Sequence, residues 1–154
     1  MKDALAIDRE YGVEEYVAGD LNSLGELERE RKNYDAAERY CREALEIGTK
    51  RDDKHGIACF SGNLGALALD SEQWAEAHKW FEQAMPLAKE VARQDLIADV
   101  QYGLARVHEA EGHVDLALPL AQEALKIFER LQHRNLAAAR EFVERLQKAE
   151  SSRQ

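Results

Sequence analysis

Residues 61–88 read SGNLGALALDSEQWAEAHKWFEQAMPLA, and two apolar stripes run through this region. Ile57, Phe60, Leu64 and Leu67 recur three or four residues apart, the spacing of one face of an α-helix. The stripe pauses at Asp70-Ser71-Glu72-Gln73 and resumes with Trp74, Ala77, Phe81, Ala84 and Leu87. A polar break of that length ends one helix and starts another, so the segment reads as a helical hairpin.

The hairpin is repeated at a period of 40 residues. Leu24, Leu64 and Leu104 share one column, and Gly25, Gly65 and Ala105 the next. Ala37, Ala77 and Ala117 form a third, and Ala44, Ala84 and Ala124 a fourth. Bulky residues keep the register: Tyr34, Trp74 and Val114; Tyr40, Trp80 and Leu120; Leu45, Met85 and Leu125; Ile47, Leu87 and Ile127. The other breaks fall at Arg31-Lys32-Asn33 and Glu111-Gly112-His113. Units that cannot bury an apolar face alone bury it by stacking, which predicts a solenoid. The small columns mark where antiparallel helices approach closely, with Gly25 and Gly65 expected to face Ala37 and Ala77.

First helices are expected over 14–31, 54–70 and 94–111, and second helices over 34–52, 74–92 and 114–132. Pro86 and Pro119 fall inside second helices, where each removes a backbone hydrogen bond, so local distortion is expected there. Repeats then cover 14–53, 54–93 and 94–133. Ala4, Leu5 and Ile7 lie 40 before Ala44, Leu45 and Ile47, so residues 1–12 read as the end of a truncated preceding repeat. Residues 134–150 keep the stripe Leu136, Ala139, Phe142, Val143 and Leu146 but carry Glu144 and Arg145 where Leu and Gly stood. That pattern fits a C-terminal capping helix near 135–150.

Composition agrees. The chain has 154 residues, long enough to fold without disulfide or metal, and 45% hydrophobic against 33% charged residues is a globular balance. A net charge of −9 argues against a phosphate-backbone binder, so no nucleic acid is expected. No apolar run is long enough to span a membrane, and the charged N-terminus does not read as a secretory signal. Cys41 and Cys59 form no metal or redox motif and read as small thiols in a reducing, cytoplasmic compartment.

The columns resemble the tetratricopeptide repeat, with Leu64-Gly65, Ala77, Phe81 and Ala84 matching its signature and Trp74 at the usual bulky position. Cys41 and Ala121 depart from it at the aromatic position, and Thr49, Lys89 and Glu129 replace its late proline. The period is similar to that of the long-repeat branch found in Pins-type polarity adaptors, kinesin light chains and the sensor arrays of bacterial signalling ATPases. The resemblance implies an all-α, right-handed solenoid of about seven helices, with the first helices on the concave side. It also implies a non-catalytic module that binds a peptide or helix of a protein partner, as a C-terminal segment of a larger adaptor or signalling regulator. The other reading is a spacer or self-association segment, forming a homo-oligomer through the exposed half-repeat at residues 1–12.

No catalytic constellation or phosphate loop is present, and no cofactor is expected. His108-Glu109-Ala110-Glu111-Gly112-His113 departs from the zinc-helix motif because its histidines stand at i and i+5 rather than i and i+4. They are therefore expected to be solvated turn histidines, with no metal bound. The concave columns are Asn22, Gly62, Tyr102; Ser23, Asn63, Gly103; Glu26, Ala66, Arg106; and Arg29, Leu69, Glu109. Their variation makes them the candidates for recognition. The peptide-binding residues expected are Asn22, Glu26, Arg29, Asn63, Tyr102 and Arg106. Asn63 precedes Leu64-Gly65 where related long-repeat adaptors carry an Asn that holds a peptide backbone, and Arg106 can pair with a partner carboxylate.

Overall fold

The structure is a computed structural model that describes residues 3, 4, 6 and 13–153, with Glu15 by its backbone only. Among residues 13–153 seven helices follow in order: α1 Glu14–Glu30, α2 Tyr34–Lys50, α3 Lys54–Asp70, α4 Trp74–Glu90, α5 Gln94–Ala110, α6 Val114–Leu131 and α7 Leu136–Ser152. No strand occurs among the described residues. The periodic pattern therefore forms an all-α solenoid whose helix ends lie within about two residues of the sequence boundaries. Leu5, Ile7 and Tyr11, on which the half-repeat reading rests, lie outside the described residues.

One turn is used six times. The amides of Asn33, Asp53, Gln73, Arg93, His113 and His133 each donate to the carbonyl five residues earlier, at 2.8–3.2 Å. The residue before each donor takes a left-handed backbone: Lys32, Asp52, Glu72, Ala92, Gly112 and Gln132, at φ between 51° and 84°. This is the Schellman ending, in which a left-handed residue lets the chain double back and satisfy the last helical carbonyls. Every connection is consequently short, and consecutive helices are forced to lie antiparallel side by side.

The core is a row of linked clusters. Val17, Ala18, Leu21, Ala44 and Phe60 pack at the N-terminal end. Phe81, Ala84, Val100, Leu104 and Val107 fill the centre. Phe142, Val143 and Leu146 of α7 pack against Ala105, Ala117, Leu118 and Ala121. α4 and α6 continue through Pro86 and Pro119.

The close-packed columns differ from expectation by one helical turn. Gly65 lies against the Phe81 ring rather than Ala77: a methyl built on Gly65 would meet Cε1 at 2.6 Å. Gly25 lies against Cys41 Sγ, at 2.5 Å from such a methyl, with the Ala37 carbonyl oxygen at 3.3 Å. Gly103 also differs. It was expected on the concave face, yet it is buried against the tip of the same Phe81 ring, where a methyl would meet Cζ, Cε1 and Cε2. Phe81 is thus clasped between glycines of two successive first helices. The reason is that the residue one turn past the small Ala carries the large side chain, and only a missing Cβ leaves room for it.

Neighbouring first helices touch, α1 with α3 and α3 with α5, while no comparable contact joins the second helices α2, α4 and α6 among the described residues. An array whose first helices are the closer set curves toward them, which makes α1, α3 and α5 the concave face.

Gly103→Ala and Gly62→Ala should move stability in opposite directions. The first drives a methyl into the Phe81 ring and should cost about 1–3 kcal/mol. The second meets nothing nearer than Val100 Cγ2 at 3.9 Å and should gain up to about 1 kcal/mol of helix propensity. Urea midpoints of the two variants check this. Ala92, at φ 54°, gives a further expectation: Ala92→Gly should raise the midpoint by about 0.5–1 kcal/mol, since the left-handed region costs a residue with a Cβ roughly that much or more.

Candidate functional site

The concave face is crossed by polar ties between successive first helices. Asn63 on α3 donates through Nδ2 to Asn22 Oδ1 at 2.7 Å and to Glu26 Oε1 at 3.1 Å, both on α1. Both amide hydrogens are spent on these two acceptors, which leaves the side-chain oxygen as the remaining hydrogen-bonding group of Asn63. Asn22 is buried, at 9% exposure, with its side-chain oxygen accepting from Asn63.

Arg29 is committed elsewhere. Its Nε donates to Asp70 Oδ2 at 2.5 Å and its Nη2 to Oδ1 at 3.3 Å, a two-pronged pair across the same α1–α3 seam. Sequence reading placed Arg29 in a binding column without seeing Asp70, which lies 41 residues away. Leu69, in the same column one repeat on, is 5% exposed and belongs to the core, not to the concave surface.

The α5–α7 seam carries the pair in reverse. Arg145 donates from Nε and Nη2 to the Glu109 carboxylate at 2.8–3.1 Å. Its guanidinium lies over the Phe142 ring, 5.0 Å from the centroid. Arg145 was read only as a departure from the repeat signature; its spacing of 36 from Glu109 was the available signal.

Tyr102 stands between these groups. Its ring meets Phe128 and Phe142 edge to face, with centroids 6.0 Å and 5.5 Å away. Burial pushes the Tyr102 phenol up, against the pull of Arg106 and Arg145. Arg106 lies with its guanidinium 5.9 Å from the Tyr102 centroid. It is half-buried and makes no ion pair with the described residues. Between the polar seams, Gly62 and Ala66 give α3 a low, half-buried surface. The concave face therefore offers an accepting oxygen at Asn63, a shallow middle, and an aromatic–cation pair at Tyr102 and Arg106.

The cysteines are chemically quiet. Burial is the first cause that raises Cys41 to about 12 and Cys59 to about 11, and Glu26 adds to both. Neither is a thiolate at neutral pH.

The histidines correct the sequence reading. His113 is an exposed turn residue, as expected, but the two are not separate: one ligating atom from each of His108, Glu111 and His113 lies within 4.8 Å of the others. His108 is half-buried, and its Nδ1 is enclosed without a hydrogen-bond partner.

These features define an α-solenoid of helical hairpins with a polar concave face. The tetratricopeptide repeat family model matches residues 16–90 and again 56–130, and the chain belongs to that family. The fold is similar to the crystal structure of the apo form of RapI, with a TM-score of 0.78 at 17% identity over 88% of this chain and 50% of that one. It is also similar to BtubC (BKLC) from P. vanneervenii, with a TM-score of 0.78 at 18% identity over 97% and 62%. The N-terminal domain of stress-induced protein-1 from C. elegans gives 0.61 at 19% identity over 85% and 94%. The chain thus spans between half and two thirds of the length of the first two. No curated protein matches the sequence. No helix among the described residues is long and apolar enough to cross a membrane.

The two arginines should separate by experiment. Arg29→Ala removes half of a partly buried seam and should lower the unfolding midpoint by about 1 kcal/mol, a value already reduced for solvent screening. Arg106→Ala breaks no ion pair and should leave thermal unfolding within about 0.5 kcal/mol of wild type. Equal losses in the two variants would show that Arg106 is also part of the scaffold.

Proposed function

We propose that the chain is a non-catalytic protein-binding module that holds a peptide or helix of a partner along α1, α3 and α5. The observation that carries this reading is Arg106, a cation on the concave face with an aromatic neighbour and no carboxylate partner among the described residues. A guanidinium in that state binds an acidic side chain by charge-assisted hydrogen bonds, while the Tyr102 ring supplies apolar contact. Asn63 accepts a backbone N–H from the same segment. Family membership supports a protein partner, since stacked helical hairpins present long concave surfaces.

The net charge of −9 opposes an acidic ligand at long range, so attraction is confined to the neighbourhood of Arg106. Micromolar affinity and modest salt sensitivity are expected. The module belongs to a larger cytoplasmic adaptor or signalling regulator in this reading.

The test begins with peptides selected from a random displayed library on the wild-type protein, each then titrated against three variants. Arg106→Glu should weaken binding more than tenfold, because a favourable pair becomes a repulsion. Asn63→Ala should weaken it by about 0.5–1.5 kcal/mol for the lost hydrogen bond. Arg42→Glu, on α2, should change nothing. Selected peptides that lose affinity only with Arg42→Glu would move the site to the convex face.

A further inference from the structure

The turn between α5 and α6 gathers three groups that the recognition surface does not use. His108 lies in the last turn of α5, Glu111 caps it, and His113 precedes α6. In a continuous helix, residues five apart point to different faces. Here the helix does not continue. The His113 amide donates to the His108 carbonyl at 2.8 Å, the Gly112 amide donates to the Glu109 carbonyl at 3.0 Å, and Gly112 takes φ 84°. In this Schellman ending the first and sixth residues are brought side by side, the pair that elsewhere makes an apolar contact. Two other turns of the chain show the same pairing. Asn33 donates to Glu28 at 2.7 Å, and the rings of Phe128 and His133 stack at 4.6 Å. At the third the pair is two imidazoles, with centroids 6.4 Å apart.

We propose that His108, Glu111 and His113 form a binding site for a borderline divalent transition metal of the zinc class. One ligating atom from each already lies within 4.8 Å of the others. Tetrahedral zinc, with bonds of about 2.0–2.2 Å, needs those atoms about 3.4 Å apart. Glu111 and His113 are exposed, so side-chain rotation closes the difference without moving the backbone. A second observation points to a ligand: His108 Nδ1 is enclosed and has no hydrogen-bond partner, a desolvated polar atom whose cost is relieved when that nitrogen is the one that binds the ion. His78 on α4 holds its ring 5.7 Å from that of His108 and its Nε2 faces Glu82 Oε1 at 3.2 Å, but it is not one of the three residues whose ligating atoms lie within 4.8 Å of one another. Two imidazoles and one carboxylate leave a coordination position for water. This donor set favours Zn²⁺, Co²⁺, Ni²⁺ or Cu²⁺ over the hard cations Mg²⁺ and Ca²⁺. Because the helix end holds the three ligands side by side, the ion binds the folded turn more tightly than the unfolded chain and stabilises the third repeat by that difference.

Tag-free protein titrated calorimetrically with Zn²⁺, with Co²⁺ absorption as the spectroscopic readout, tests the site. One ion per chain is expected, with visible Co²⁺ bands, a rise in the unfolding temperature and no displacement by excess Mg²⁺. His113→Ala and His108→Gln should each weaken Zn²⁺ at least roughly tenfold, while Glu82→Gln leaves it unchanged. Circular dichroism of each variant confirms that the fold is retained. Binding that persists unchanged in His113→Ala, that Mg²⁺ displaces, or that does not saturate at millimolar Zn²⁺ would overturn the proposal.

Discussion

The clasp of Phe81 between Gly65 and Gly103 sets how closely α3, α4 and α5 approach, and the array is built outward from it. The ring belongs to a second helix, and the glycines belong to the first helices before and after it. A side chain in this position is therefore shared by two repeats, which couples pairing within a hairpin to stacking between hairpins. The same three columns elsewhere hold Gly25, Cys41 and Asn63, then Ala105, Ala121 and Val143. Where the middle residue is large its neighbours have no side chain, and where it shrinks to Ala a valine fills in from α7, in the cluster that closes the array. Interiors packed at near-crystalline density require such compensation. The departures of Cys41 and Ala121 from the family's aromatic are thus changes of volume balanced across helices.

Much of the fold was legible because it depends on short-range periodicity. Leu24, Leu64 and Leu104 mark the period, polar breaks mark the turns, and Leu136, Ala139, Phe142, Val143 and Leu146 mark the capping helix. What escaped was the identity of contacts between helices. Gly65 was paired with Ala77, because small residues suggest each other, whereas a glycine facing a ring gives the tighter fit. Gly103 was placed on the concave face because its column holds Asn63 in the previous repeat, and a column average cannot show that one member is buried by a neighbour's bulk. The histidine pair escaped for a different reason: helical spacing rules stop at the helix end, and a left-handed Gly112 changes which residues meet.

The candidate site was legible as a set of columns but not as a division of labour. Asn22, Glu26, Arg29 and Asn63 are drawn into bonds between α1 and α3, while Tyr102 and Arg106 face each other on α5 as a half-buried aromatic–cation pair. The partners that draw them in, Asp70 above all, lie about a whole repeat away, and spacing by one repeat is too weak a signal in one sequence to single out a pair. A charged residue on a solenoid's inner face therefore has two competing uses, and it is the availability of an opposite charge on the next first helix that decides between them.

The seams themselves show why the division falls where it does. At α1–α3 the cation is on the earlier helix, Arg29 to Asp70; at α5–α7 it is on the later one, Arg145 to Glu109. At α3–α5 the corresponding Leu69 is buried in the central core instead. Partly exposed ion pairs contribute little net stability, so the central seam, held by Phe81, Val100 and Leu104, does not need one. The outer seams have less apolar surface at this column, and their ion pairs fix stacking register more than they add free energy. It follows that Arg106 is left without a carboxylate because the seam beside it is closed by apolar packing. Of the two cations predicted on the concave face, Arg29 is spent in a seam and Arg106 has no ion pair among the described residues.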